Sequence, residues 1–353
     1  MLGIESRAGR AAWTVFLVGL LLFLLYLIRG VLFIFIAAIL FAYLLAPVVN
    51  LVNQFTRRRL SRVLSLAVVY VLLVGLLVLA GIAVGSRVSE EAATLAARLP
   101  DLIKGAAARL ESPEPAWLAP VKRALVTVIQ EKLGDLGSVA LPLIQKATGR
   151  LVSIVGGLVI VVMVPILSFF LLKDGAELRD RILGEVSEER RALWEDVVSD
   201  VHQLLGQFIR ALVLLAAATF VAYGAFFAIL GVPYAILLST VAGVLEFIPV
   251  LGPLVAAITI VLVAGISGQG PVWLILAFLA GYRLFQDYVL SPHLMSAGLA
   301  LHPLLVIFGA LAGEAIGGVP GMFLSVPVLA TLRILYVRIR KARRDPRPTP
   351  GLL

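Results

Sequence analysis

Four side chains able to hold a proton, a cation or a polar solute stand inside otherwise apolar segments of this chain: Glu246, Gln286, Asp287 and Glu314. A polar or charged group in hydrocarbon is costly, so each one needs a reason to be there. Glu246 lies in Val244-Leu245-Glu246-Phe247-Ile248-Pro249-Val250-Leu251-Gly252-Pro253. Pro249 and Pro253 lack the amide hydrogen and leave carbonyls unpaired, while Gly252 lets another stretch of backbone come close. A carboxylate beside unwound backbone suits a cation or proton site. The plainer alternative is a glutamate capping a loop at the membrane edge. Gln286 offers both donor and acceptor to a polar solute. Asp287 follows Arg283 by four residues on one helix face, and the pair can simply neutralise itself. Glu314 sits among Gly309, Gly313, Gly317 and Gly318, ahead of Pro320, either at a hairpin tip or at the water boundary. Glu246, Pro249, Gly252, Pro253, Gln286, Asp287, Glu314 and Pro320 are therefore the expected substrate or ion pathway.

Other chemistries find little support. The chain has no cysteine, which removes disulfides, thiolate metal sites and cysteine nucleophiles. His202, His293 and His302 are scattered without metal-ligand spacing. No Gly-x-x-x-x-Gly-Lys-Ser/Thr loop is present, so ATP-driven transport by this chain alone is not expected. No Ser/His/Asp grouping suggests a hydrolase. The expectation is a non-enzyme with no cofactor.

The elements that must position these residues are membrane helices. Of 353 residues, 61% are hydrophobic and 14% charged; a soluble domain has about 45–50% and about 25%. Backbone amides in lipid must be satisfied within their own segment, so the spans are read as helices. Long apolar runs cover 11–28, 31–49, 63–84, 151–172 and 208–230, with Arg29-Gly30 read as a tight turn closing the first two into a hairpin. Charges and five prolines return between 87 and 150. There Val121, Leu125, Val128, Ile129 and Leu133 recur at helical spacing, which describes a small amphipathic helical insert. Glu90, Glu91, Asp101, Glu131 and Asp135 read as its solvated face. After 230 the apolar pieces shorten to 234–249, 252–267, 271–290, 303–316 and 321–337, cut by proline and glycine. A full span needs about 20 residues. The paired pieces are either thin spans or re-entrant hairpins, and both readings stay open. Gly231-Val232-Pro233 is echoed by Gly318-Val319-Pro320, either as an internal repeat of the kind transporters use or by chance.

The expected organisation is N-terminal helices over 1–86, the insert over 87–150, a span with a cytoplasmic amphipathic segment over 151–207, a broken-helix region over 208–337, and a basic tail over 338–353. Net charge is +9. The basic residues concentrate at Arg7 and Arg10, Arg57 to Arg62, Lys173 to Arg191, and the tail. By the positive-inside rule these face the cytoplasm, with both termini inside and the insert outside. The tail is expected on anionic lipid rather than on nucleic acid.

Several segments resemble the autoinducer-2 exporter family of bacterial permease-like membrane proteins. They are Phe247-Ile248-Pro249-Val250-Leu251-Gly252-Pro253, Phe169-Phe170-Leu171-Leu172-Lys173-Asp174-Gly175, Gly231-Val232-Pro233, Gln286 ahead of Ser291-Pro292, Leu301-His302-Pro303-Leu304, and Gly321-Met322-Phe323-Leu324-Ser325-Val326-Pro327. The resemblance implies an all-α polytopic protein of about eight transmembrane or re-entrant elements, assembled as a homo-oligomer in the inner membrane. It implies export of a small polar solute such as autoinducer-2, or cation antiport. From another class, a non-transporting oligomeric scaffold remains the alternative.

Overall fold

The computed structural model describes residues 6–55, 62–110, 154–268, 271–294 and 301–344. Among these, every regular element is a helix. They are α1 (Ser6–Leu27), α2 (Arg29–Phe55), α3 (Arg62–Leu110), α4 (Ile154–Gly184), α5 (Glu188–Leu230), α6 (Ala235–Leu245), α7 (Leu251–Ser267) and α8 (Val272–Phe285). A π turn (Gln286–Leu290), α9 (Ser291–Leu294) and α10 (Pro303–Arg344) follow. Among the described residues, five stretches are long and apolar enough to cross a membrane: Arg29–Val52, Leu66–Leu102, Glu188–Leu230, Val272–Leu294 and Pro303–Arg344. Their apolar side chains are widely exposed, as expected where lipid rather than protein covers them. The chain is an all-α, multi-pass integral membrane protein.

The hairpin expected at Arg29-Gly30 does not form. Helical bonds run through the junction, from Ile28 N to Leu24 O and from Leu32 N to Ile28 O, both at 3.0 Å. Gly30 is not among the described positive-φ glycines, so nothing there turns the chain back. Trp13, Phe16, Phe23 and Tyr26 of α1 stay exposed instead of packing on α2. The charged stretch after the fourth apolar run is likewise continuous with its neighbours. It forms the end of α4 and the start of α5, two helices that outrun their apolar parts.

The 49-residue α3 is about 74 Å long by helical rise. It carries the first part of the expected insert, 87–110, as a helical continuation of a span. The amphipathic positions 121–133, with Glu131 and Asp135, lie outside the described residues. Near its start, α3 contributes Leu66, Val69 and Tyr70 to a core with Leu45 and Val49 of α2, against which Phe169 and Leu172 of α4 pack. Farther along, Leu95 of α3 joins Phe227, Val232, Leu238, Ala264 and Ile275 in a second core, built with α5 to α8.

Three chain reversals in the second half shape its hairpins. At the first, Gly231 takes a left-handed conformation (φ 66°, ψ 27°). Its N–H bonds Ala228 O, and Val232 N bonds Phe227 O at 2.9 Å, closing the helix end. Val232 and Phe227, which such a cap brings together, are both buried. At the second, residues 246–250 join α6 to α7. At the third, Gly318 (φ 64°, ψ −148°) breaks α10 into two legs. Gly313 and Gly321 lie back to back across this break, because a Cβ on either would strike the other's carbonyl. Gly309 meets Ser325 and Leu329 farther down the same antiparallel pair. The two Gly-Val-Pro echoes thus both reverse a helix through a left-handed glycine, though with different ψ.

Candidate functional site: a polar cluster at a hairpin tip

The local sequence explains the tip. α6 has 11 residues and spans about 17 Å, short of a bilayer of about 30 Å. It ends at Glu246, after which Ile248 N bonds Leu245 O at 2.9 Å and Gly252 N bonds Ile248 O at 3.1 Å. Leu251 N bonds Pro249 O at 2.7 Å across Val250, a tight three-residue turn with φ 64° and ψ −53°. Positive φ in a β-branched residue is a strained conformation. Gly252 is required by contact, since a Cβ there would collide with the Leu245 carbonyl. Pro253 sits in the first turn of α7, where its missing N–H costs nothing.

This tip presents Glu246 to two other helices. The Gln286 amide donates to its carboxylate at 2.8 Å, and the Thr219 hydroxyl approaches its other oxygen at 3.3 Å. Thr219 also meets the Tyr282 hydroxyl at 3.1 Å. Gln286 is 3% exposed and Thr219 1% exposed. Tyr282 packs edge-on against Tyr223 with ring centroids 5.1 Å apart. Thr219 lies midway through the apolar part of α5. Tyr282 lies at the centre of the apolar stretch Val272–Leu294. The π turn begins at Gln286, whose backbone carbonyl accepts from Ser291 N. Four side chains from α5, the 246–250 tip and the α8 region therefore make one hydrogen-bonded group.

Asp287 does not join this group. It pairs with Arg283 at 2.9 Å on the adjoining face, where both side chains are nearly half exposed at 45% and 46%. An ion pair at the middle of an apolar helix needs water or protein around it rather than lipid. Glu314 and Pro320 belong to the first and second legs of α10. Glu314 is exposed, and no described hydrogen bond links it to Glu246. The two hairpins do touch, through Phe247 and Phe323, whose rings lie 5.8 Å apart. Pro249 sits half-buried in the tip.

Sequence reasoning missed Thr219, Tyr282 and the role of Glu91. Thr219 was visible as a lone hydroxyl in the apolar run Leu212 to Phe220, and Tyr282 as the residue four before Gln286 on its face. Glu91, read as solvated, instead accepts from Leu237 N at 2.7 Å. His302 caps α10: its Nδ1 accepts from Leu304 N at 3.3 Å.

Long apolar helices, broken midway around a shared polar cluster, define a multi-pass membrane protein. Residues 14–341 match the family described as AI-2E family transporter, and the chain belongs to that family. It is 25% identical over 319 residues to YueF of Bacillus subtilis (strain 168), covering 87% of this chain and 85% of YueF. It is 28% identical over 319 residues to PerM of Escherichia coli (strain K12), covering 88% of this chain and 87% of PerM. A shorter match, 25% over 202 residues, reaches YrrI of Bacillus subtilis (strain 168) and spans 57% of that protein. YueF and YrrI are named as candidate transport proteins and PerM as a candidate permease. By its family, the chain is a membrane transport protein.

Proposed function

We propose that this protein is a secondary exporter of a small polar solute, driven by an ion gradient, with the Glu246 cluster as its coupling site. The observation that carries the reading is the Glu246–Gln286 contact between a helix end and a π turn midway along apolar helices. A half-buried carboxylate held between a helix end and a π turn can change its hydrogen bonds as a proton or cation arrives. The Arg283–Asp287 face next to it is read as the wall of an aqueous path. The hairpin α6–α7 is read as re-entrant from outside, with α10's first leg entering from the cytoplasm. The C-terminal tail is proposed at the cytoplasmic face of the inner membrane on the distribution of lysine and arginine. A homo-oligomer and a quorum-sensing signal such as autoinducer-2 as cargo belong to the same proposal.

The test is solute-resolved flux in proteoliposomes under imposed proton and sodium gradients. Export predicts solute movement that collapses when the gradient is dissipated, and that loses its gradient dependence in Glu246→Gln with assembly intact. Sodium/proton exchange without any organic solute would replace the export reading by antiport. Gradient dependence unchanged in Glu246→Gln would remove Glu246 from coupling.

A further inference from the structure

Two charged side chains from the N-terminal half reach helix ends in the broken C-terminal half. The Glu91 carboxylate of α3 accepts from the Leu237 amide in the first turn of α6 at 2.7 Å. That turn has unpaired N–H groups, and its N-cap residue, Tyr234, supplies no side-chain cap. The Arg29 guanidinium at the start of α2 donates to the Ile316 carbonyl at 3.2 Å, two residues before the break at Gly318. Carbonyls at that end of the first α10 leg lose their helical partners. Arg29 is steadied by the Tyr26 ring, 4.2 Å from the guanidinium carbon. Each charge has the sign its helix end favours, negative at the N-terminus and positive at the C-terminus.

We propose that Glu91 and Arg29 are positioning residues that latch the two hairpins, separately, onto the N-terminal helices. Glu91 holds the α6–α7 hairpin and hence the Glu246 tip, while Arg29 holds the α10 hairpin. Leu95, one turn beyond Glu91, packs with Leu238 of α6, so a shift of α3 moves the start of the hairpin with it. The consequence of this latching for transport rests on the function proposed above; the positioning itself does not, so the test reads position rather than flux.

The absence of cysteine makes the measurement direct. Single cysteines at the exposed positions Leu254, near the first tip, and Val319, at the second, report each hairpin through their rate of reaction with a water-soluble maleimide. The full-length protein is used in phospholipid vesicles. Loss of a charge-assisted bond predicts about a tenfold or larger change in rate. Glu91→Ala should change Leu254→Cys and leave Val319→Cys as it was; Arg29→Gln should do the reverse. Glu91→Gln, which keeps an acceptor, should fall between wild type and Glu91→Ala, and it serves if the alanine variant fails to assemble. Unaltered rates at both reporters, or equal changes at both in either variant, overturn the proposal.

Discussion

The Glu246 carboxylate and the Gln286 amide meet at 2.8 Å, joining the end of one helix to the π turn that follows another. Replacing Gln286 by Leu leaves the carboxylate with Thr219 alone, at 3.3 Å. Hydrogen bonds to charged groups contribute about 1.5–3 kcal/mol, which is about tenfold to a hundredfold in an equilibrium. Flux in Gln286→Leu should fall by that order, with Thr219→Val less affected because its bond is longer. Equal flux in Gln286→Leu and wild type would detach the pair from transport.

Gly252 and Gly313 allow backbone contacts that any Cβ blocks. Alanine at either place must separate two chain segments held together by those contacts. Overpacking of this kind costs about 1–3 kcal/mol. Each variant should lower the midpoint of thermal unfolding in detergent, whereas Gly75→Ala, with open space around it, should not.

Val250 holds a positive φ that glycine adopts freely. Relief of such strain is worth on the order of 1 kcal/mol or more. Val250→Gly should therefore raise thermal stability if the tip keeps its shape. A lowered midpoint would mean that the side chain, not the turn, is what the tip needs.

Arg338 binds Asp200 at 2.7 Å and Asp196 at 3.1 Å, fastening the end of α10 to the start of α5. Its hydrogen bond to Asp200 is the main reason its pKa is raised, so it stays charged throughout any accessible pH. The pairs are partly exposed, and a loss on the order of 1 kcal/mol is expected for Arg338→Gln. Hydrogen exchange along 188–200 should quicken in that variant and not in Arg340→Gln.

His202 stacks edge-on against Tyr43, with Nδ1 3.0 Å from the phenol oxygen. Burial lowers its pKa, and Arg179 and Arg210 lower it further. The neutral ring is therefore favoured by folding. The stability it contributes is complete above the unfolded value of about 6.5 and is lost as pH falls through the depressed value. Unfolding midpoints measured from pH 8 to pH 5 should drop more for wild type than for His202→Gln. The difference should be small, since the side chain remains exposed.

Much of this protein is readable from residue order. Composition and run length demand membrane helices, because a property summed over 20 residues does not depend on what they touch. The interruptions near Pro249 and Gly318 are legible for a similar reason: proline and glycine act on their own backbone. Gly252 stands out as a place of close approach, although its neighbour, the Leu245 carbonyl, does not. The hairpin expected at Arg29-Gly30 failed on the same logic applied too far. Glycine permits a reversal without imposing one, and here the helix simply continues.

Partnership is what tertiary structure alone decided. Glu246, Gln286, Asp287 and Glu314 look alike in sequence as polar groups in apolar surroundings. Folding gathers the first two with Thr219 and Tyr282 and leaves Glu314 on another hairpin, while the local Arg283–Asp287 pair was already legible from its spacing. Helical phase separates Gln286 from Asp287 by about 100°. The left-handed turn at Gly231 and the tight turn at Val250 set which face of α6 meets α5 and α8. Residue type and spacing therefore determined a polytopic membrane protein with polar groups at broken helices. Only the chain reversals, acting over tens of residues, selected which of those groups share a hydrogen bond.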